Sequence, residues 1–265
     1  MKSCENDMDN VSRRFFEQEA NMYDTIRNRA FISKAKTAIL DIAHKVRPKR
    51  AFLEVGAGTG EVFKELAKHF EISVASDISH NMLVHARRKL SQDITKVDYI
   101  VADAQHLPFT THSFDFVLCM DVLEHVENPR RCVNEIWRLI SNNGMAAITT
   151  PNPLWGVVLY LAEKLGLKVH EGPHRYIFLP TTLRTLARIT AVKRVSSLVF
   201  LPIRTPFDFL IERVAKNHLI KLLGFSQLLL LTRISRANAS STTPLAQPNR
   251  GGFRYMPSGH ELRYE

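Results

Sequence analysis

The chain has 265 residues, a hydrophobic fraction of 45%, a charged fraction of 23% and a formal net charge of +10, values ordinary for a globular protein that buries a sizeable core. Its first residues, MKSCENDMDN, lack the apolar core of a secretory signal. The three cysteines are scattered and form no CxxC pair, which argues against a disulfide framework or a zinc site and favours a reducing, cytoplasmic setting.

The positive charge is concentrated in the C-terminal part of the chain. Residues 1–150 contain 20 Lys and Arg against 20 Asp and Glu, whereas residues 151–265 contain 16 against 6. Residues 151–265 also hold the longest apolar runs, which suggests peripheral contact with an anionic membrane or an acidic, lipid-like substrate. A solvated basic face is the alternative. No run is long enough to span a membrane, and no motif indicates binding to nucleic acid.

The segment before the first strand is predicted to be helical in part. Residues 1–12 are polar and predicted to be disordered, and residues 13–46 favour two helices with a break near Asp24 to Asn28. From residue 51 onward, apolar runs alternate with amphipathic segments. These runs predict strands at 51–55, 72–77, 97–103, 114–120 and 145–151. Helices are predicted between them at 61–70, 79–91 and 129–141.

Two more apolar runs, 193–202 and 225–234, would complete the sheet. We therefore expect an α/β fold with a doubly wound, mostly parallel seven-stranded sheet, N-terminal helices and a helical insertion at 208–224 before the last strand. This domain would cover residues 13–235, with a cofactor half at 50–153 and an acceptor-specificity half at 154–235. Residues 236–265 are rich in Ser, Thr, Pro, Asn and Gly and are predicted to form a disordered tail.

The loop after the first strand contains glycine at every second position, Gly56, Gly58 and Gly60. A glycine loop between a strand and a helix lets a ligand approach the backbone closely. The spacing differs from the G-x-G-x-x-G of dinucleotide sites, and Glu61 stands where the third glycine of that pattern would fall. The loop therefore favours a neutral or cationic ligand over pyrophosphate, although a tight turn without a ligand explains it as well.

Acidic residues end the next two strands. A carboxylate at Asp77 can accept hydrogen bonds from both hydroxyls of a ribose. Asp103 can accept a hydrogen bond from an exocyclic amine while the backbone N–H of Ala104 donates to a ring nitrogen. Either acid alone is more often a helix cap or a solvated loop residue. Because they follow successive strands of one sheet, together they indicate a nucleoside with a positive tail.

The runs EVGAGTG, SDIS, ADAQHLPF, FDFVLCMDVLEHV and NGMAAITTPNP resemble the class I S-adenosylmethionine-dependent methyltransferases, in particular their type 11 and ubiquinone-biosynthesis-like groups. The N-terminal segment FFEQEANMYD resembles the helix that these proteins place over the cofactor. This resemblance implies roles for individual positions. The methionine part of S-adenosylmethionine would lie on Gly56, Gly58 and Gly60, near Glu54. The ribose would bind Asp77, and the adenine would lie beside Ile78, Met82, Asp103 and Ala104. The sulfonium would lie near Cys119 and Met120.

The chemistry of such an enzyme needs few protein groups, because the cofactor brings its own leaving group. His125, after the fourth strand, and His174, in EGPHRYIF, are candidate bases for an acceptor that must lose a proton. Quinone-pathway relatives with a similar LEH motif are associated with a divalent cation, so Glu124 and His125 are candidate ligands for Mg²⁺. A role of these residues in shaping the loop without metal is the alternative.

The sequence thus predicts a methyltransferase that acts on a small or lipid-like acceptor such as a quinone or isoprenoid precursor. A natural-product or polar-metabolite O- or N-methyltransferase is the second prediction. A catalytically silent scaffold that binds the cofactor is the third.

Overall fold

The computed structural model describes residues 7–26, 29–90, 96–156, 192–199 and 224–233, together with Lys164, Ile177 and Arg213. The N-terminal helices are α1 (Asp7–Glu19), α2 (Tyr23–Ile26) and α3 (Arg29–Ala43). The later helices are α4 (Phe63–Leu66), α5 (His80–Lys89) and α6 (Pro129–Leu139). The strands are β1 (Ala51–Val55), β2 (Ile72–Asp77), β3 (Val97–Val101), β4 (Phe114–Met120), β5 (Ile140–Pro151), β6 (Val192–Val199) and β7 (Ser226–Thr232).

The strands form one seven-stranded sheet in the order β3-β2-β1-β4-β5-β7-β6. Strands β1 to β5 pair in parallel, whereas β7 is antiparallel to both β5 and β6. The chain order reverses between β1 and β4, which is where ligands of such sheets bind, outside the carboxyl ends of the strands. The predicted doubly wound, mostly parallel sheet with preceding helices is confirmed.

Helices cover both faces of the sheet, and β4 shows how the sequence achieves this. All seven residues of β4 are buried. Val117 and Cys119 pack in a cluster with α6, whereas Phe116 and Leu118 pack in a cluster with α3 and α4. A parallel strand buried on both faces is expected to be a continuous apolar run, as FDFVLCM nearly is. Burial of this strand fixes the position of the residues that follow it.

The N-terminal segment differs from the expectation of disorder over residues 1–12. Helix α1 begins at Asp7, so the expectation is wrong for residues 7–12. Ser12 is buried, and its hydroxyl donates to the carbonyl of His125 over 2.9 Å. The polar residues of α1 are polar because they bind loops of the sheet, and composition alone did not distinguish this from exposure to solvent.

Two further boundaries differ from the sequence predictions. The helix expected over 61–70 is one turn of α4 followed by a 3-10 turn at Ala67–His69. Helix α6 ends at Leu139 and β5 begins at the next residue, so Asn143 and Gly144 lie within a strand. Asn143 adopts a φ of +68°, a conformation that asparagine tolerates better than most residues. A positive φ is not expected inside a β-strand.

Several predicted segments lie outside the described residues. These are most of the insertion at 208–224 and the whole of the tail at 236–265. Among the helices in the described ranges, none has the length and apolar character needed to cross a membrane.

Candidate functional site

A cavity that is open to solvent lies at the carboxyl ends of β1 to β4. Eight of the eleven predicted cofactor-binding residues line it. These are Gly56, Gly58, Asp77, Ile78, Met82, Asp103, Ala104 and Met120. The glycine loop and the ends of three other strands therefore meet at one place, as the parallel topology requires.

The glycine loop allows two close approaches. Gly56 has a φ of +70°, and a Cβ atom there would lie 2.2 Å from Cγ2 of Val122, so only glycine fits against the segment after β4. A Cβ atom at Gly60, whose φ is +77°, would lie 2.9 Å from Cβ of Ala86 in α5. Gly60 is not among the residues that line the cavity, and this contact assigns it to packing of the loop against α5.

Two other predicted cofactor residues are also absent from the lining. Glu54 is buried within β1. The Cys119 thiol packs in the core cluster on the α6 side, and its hydrogen bond with the Cys132 thiol, together with burial, raises the pKa of Cys119 well above its usual range. Successive side chains of a strand point to opposite faces, so Met120 lines the cavity while Cys119 does not.

The two oxygens of the Asp77 carboxylate each accept a hydrogen bond from a backbone N–H group. Its Oδ2 accepts a hydrogen bond from the Gly58 N–H over 2.8 Å, and its Oδ1 accepts one from the Ser79 N–H over 2.9 Å. The residue is 8% exposed. Burial raises the pKa of Asp77 to about 6, against the lowering effect of the N–H groups of Ser79, Gly58 and Ile78.

Asp103 is held by backbone and side-chain groups of its own loop. Its Oδ1 accepts from the Gln105 N–H over 2.8 Å, and its Oδ2 lies 3.0 Å from Nδ1 of His106. Helix α6 supports this loop from outside. Arg138 donates to the carbonyls of Phe109 and Leu107 over 2.6 and 3.0 Å.

The segment after β4 forms another part of the cavity wall, beside the residues around Asp77 and Asp103. Asp121 lines the cavity with a φ of +56°, and its Oδ1 accepts from the Thr149 hydroxyl over 3.0 Å. A positive φ in a residue other than glycine costs energy and clusters at functional sites. His125 also lines the cavity, and its ring meets the Phe16 ring edge-on at 5.1 Å between centroids.

The predicted metal ligands occupy different surroundings. Glu124 is buried and accepts from the Thr150 hydroxyl over 3.0 Å, whereas His125 lines the cavity. Within the described ranges, no group of three or more His, Cys, Asp and Glu side chains could hold a metal ion. The Mg²⁺ site on Glu124 and His125 therefore stays a prediction. His174, the second candidate base, lies outside the described residues.

Four residues before β1 complete the cavity, and sequence reasoning did not assign them roles. They are Asp9, Ser12, Phe16 and Tyr23. The three from α1 lie three and four residues apart and so face the same side of the helix. The resemblance of FFEQEANMYD to a helix over the cofactor was the only available signal, and it does not include Asp9 or Ser12.

The lining is acidic. Asp9, Asp77, Asp103 and Asp121 contribute four carboxyl groups, and no Lys or Arg is among the described residues of the wall. Glu61, which the sequence placed against a pyrophosphate, instead pairs with Lys64 and Lys89 at 3.1 Å each. The wall therefore favours a ligand with positive charge. The negative charge comes from the four aspartates and not, as the sequence had suggested, from Glu61.

A family model described as a methyltransferase domain matches residues 53–148. The ubiquinone biosynthesis O-methyltransferase of Coxiella burnetii is 28% identical over 174 residues, which are 63% of this chain and 74% of that protein. The demethylmenaquinone methyltransferase of Clavibacter sepedonicus is 38% identical over 106 residues, which are 38% of this chain and 43% of that protein.

The fold is also that of a solved S-adenosylmethionine-dependent methyltransferase from Thermotoga maritima, with a TM-score of 0.57 and 18% identity over 83% of this chain and 99% of that one. The sheet order and these matches together support a class I S-adenosylmethionine-dependent methyltransferase. Within that class, residues 53–148 carry the type 11 methyltransferase domain, as the motifs predicted.

Proposed function

We propose that the cavity binds S-adenosylmethionine and that the protein transfers its methyl group to a small, lipid-like acceptor. The acidic wall supports this proposal most strongly. Four carboxyl groups without a lysine or arginine among the described residues beside them fit a ligand that carries a sulfonium and an ammonium group, and they would repel the pyrophosphate of a dinucleotide.

Each part of the ligand has a matching group in the wall. The carboxylate of Asp77 would accept from the ribose hydroxyls, and Asp103 with the Ala104 N–H would bind the adenine edge. Ile78 and Met82 supply apolar surface for the ring. Gly56 and Gly58 leave space for the methionine part, while Met120 and Asp121 end β4 beside it.

The bound cofactor supplies an electrophilic methyl group on a sulfonium. The task of this chain is therefore to hold the acceptor in line with that group and to exclude water. Helix α1 covers the cavity through Ser12 and Phe16, which contact His125. His125 lines the cavity, and its imidazole would be the base that removes a proton from an acceptor hydroxyl.

The relatives support a quinone precursor as the acceptor. Two of them are named for steps in ubiquinone and menaquinone formation. The proposal is tested by incubating the protein with S-adenosylmethionine and a set of prenylated phenols and demethylquinones. Formation of S-adenosylhomocysteine together with a product heavier by one CH₂ would support it, and methylation of polar amines alone would contradict the acceptor class.

The base is tested with His125→Gln. We expect turnover to fall by about 100-fold, within the range for general base catalysis, with unchanged affinity for S-adenosylhomocysteine. Equal activity of the variant would assign the proton transfer elsewhere, and His174→Gln is the next variant to measure. Inhibition by EDTA that Mg²⁺ reverses would support the predicted metal site.

Peripheral contact with an anionic membrane rests on the charge of residues 151–265. Sedimentation with vesicles of anionic phospholipid tests it. Binding at low salt that is lost at high salt would support the contact, and absence of binding at low salt would exclude it.

A further inference from the structure

Helix α1 lies across the carboxyl ends of three strands and contacts the loop after each one. Glu17 accepts from the Ser79 hydroxyl after β2 over 2.6 Å. Ser12 donates to the carbonyl of His125 after β4, over 2.9 Å. The contact with the loop after β3 is made by Asp9, and it passes through the side chain of Gln105.

The Gln105 amide has hydrogen-bond partners inside the protein on both of its polar atoms. Its Nε2 donates to Oδ2 of Asp9 over 2.8 Å and to Oδ1 of Asp103 over 3.2 Å. Its Oε1 accepts from the Asn128 N–H over 2.8 Å. The residue is 4% exposed, so water cannot replace these partners easily.

The other ends of this network are also fixed. The second carboxylate oxygen of Asp9 accepts from the Glu127 N–H over 2.9 Å. Asn128 caps α6, because its side chain accepts from the Arg131 N–H over 3.1 Å. Gln105 therefore joins the loop after β3, the start of α6 and helix α1 at one buried point.

The charges around this amide make its chemistry specific. Asp9 and Asp103 both accept from the same NH₂ group, and both line the cavity. The Gln105 NH₂ is a shared donor between two carboxylates that would otherwise repel each other. The His106 ring adds a contact to Asp103 from the other side, over 3.0 Å.

We infer that Gln105 is a positioning residue that couples adenine recognition by Asp103 to the closed position of helix α1. Release of the nucleoside then requires the Gln105 NH₂ group to lose its hydrogen bonds to both Asp103 and Asp9, so these two bonds together control how long the cofactor stays. The inference rests on the proposed function, because it assumes that Asp103 binds the adenine of S-adenosylmethionine or of its product.

The test uses Gln105→Glu, which removes the NH₂ donor and adds a third carboxylate at nearly the same size. Gln18→Glu is the matched control, because Gln18 is an exposed residue of α1 and receives the same chemical change. The first measurement is amide hydrogen exchange of residues 9–19 in the protein without ligand. We expect exchange to be faster by about fivefold or more in Gln105→Glu, and unchanged in Gln18→Glu.

The second measurement is the dissociation rate of S-adenosylhomocysteine by stopped flow. We expect Gln105→Glu to raise this rate by about tenfold, while Gln18→Glu leaves it at the wild-type value. A wild-type rate in Gln105→Glu would overturn the inference. Absence of binding to the wild-type protein would overturn the proposed function instead, so the two failures are distinguishable.

A partner exchange separates coupling from simple support of α1. In Asp9→Asn combined with Gln105→Glu, the side-chain amide introduced in α1 can donate to the carboxylate introduced in the loop, which restores the link between them. The link to Asp103 is not restored, because the introduced carboxylate has no proton to donate. Coupling predicts that exchange of residues 9–19 returns toward wild type while dissociation stays fast. Recovery of both, or of neither, would contradict it.

Discussion

Asp77 and Asp103 have the same position in the fold and different surroundings. Both lie at the carboxyl edge of the sheet, Asp77 as the last residue of β2 and Asp103 in the loop after β3. The Asp77 carboxylate accepts from backbone N–H groups and is 8% exposed. The Asp103 side chain is 31% exposed, accepts from one backbone N–H, that of Gln105, and also contacts the side chains of Gln105 and His106.

This difference indicates a division of labour within one site. Backbone donors cannot change rotamer, so Asp77 is a rigid anchor whose carboxylate is already costly to keep charged. Side-chain donors can move, so Asp103 can change its partners when a ligand enters or when α1 shifts. We therefore expect substitution of Asp77 to weaken ligand binding more than substitution of Asp103.

The largest effect is expected for Asp77→Asn. Charge-assisted hydrogen bonds contribute about 1.5–3 kcal/mol each, so loss of the carboxylate should weaken S-adenosylhomocysteine binding by about 100-fold. Isothermal titration calorimetry measures this, and circular dichroism of the variant checks its fold. Wild-type affinity in a folded variant would remove Asp77 from the ribose site.

The second effect is a pH dependence of the same binding. The pKa of Asp77 is about 6 in the free protein, and hydrogen bonds from ribose hydroxyls would favour the charged form and lower it in the complex. Affinity should therefore be constant above about pH 7 and fall by up to about tenfold per unit as the pH drops below about 6. Titrations between about pH 5 and pH 8 test this, with Asp77→Asn as the control that loses the dependence.

The third effect concerns Asp103→Asn. The amide keeps one acceptor oxygen for the adenine and for the Gln105 N–H, so the loss should be about fivefold, close to one ordinary hydrogen bond. Binding of S-adenosylhomocysteine and of its inosine analogue, which lacks the exocyclic amine, gives a second reading. The variant should discriminate less between the two ligands, and unchanged discrimination would place the amine elsewhere.

The smallest effect is expected for Arg138→Met, which removes the support of α6 from the Asp103 loop. Arg138 donates to two carbonyls of that loop and pairs with Glu135 over 2.7 Å. We expect affinity to fall by about twofold to threefold without a change in its pH dependence, since Asp77 is untouched. An altered pH profile would show that the two ends of the site are not independent.

The sequence predicted the parts of the site that follow from local pattern. Asp77 and Asp103 end apolar runs, and parallel topology brings such ends together, so their meeting in one cavity is confirmed. The surroundings of Gly60 and Cys119 could not be predicted from local pattern. They depend on whether Ala86 or Cys132 lies beside them, and those contacts come from packing between distant segments.

The contribution of α1 was beyond sequence reasoning for a similar reason. Asp9 and Gln105 are 96 positions apart, and nothing in the local pattern of either segment indicates the other. The polar residues 7–12 at the start of α1 indicated disorder because solvent is their usual partner. In this protein, atoms of the loops at the sheet edge replace solvent as hydrogen-bond partners. For example, the carbonyl of His125 accepts from the Ser12 hydroxyl.

The last of the described strands, β7, has consequences for synthesis on the ribosome. β7 lies between β5 and β6, and it is the neighbour through which β6 joins the sheet. A nascent chain can pair β1 to β5 as they emerge, but β6 must wait until its later partner has been made. Translation has to pass Thr232 before the sheet can close, so stalling or a premature stop upstream would leave an incomplete domain for quality control to remove.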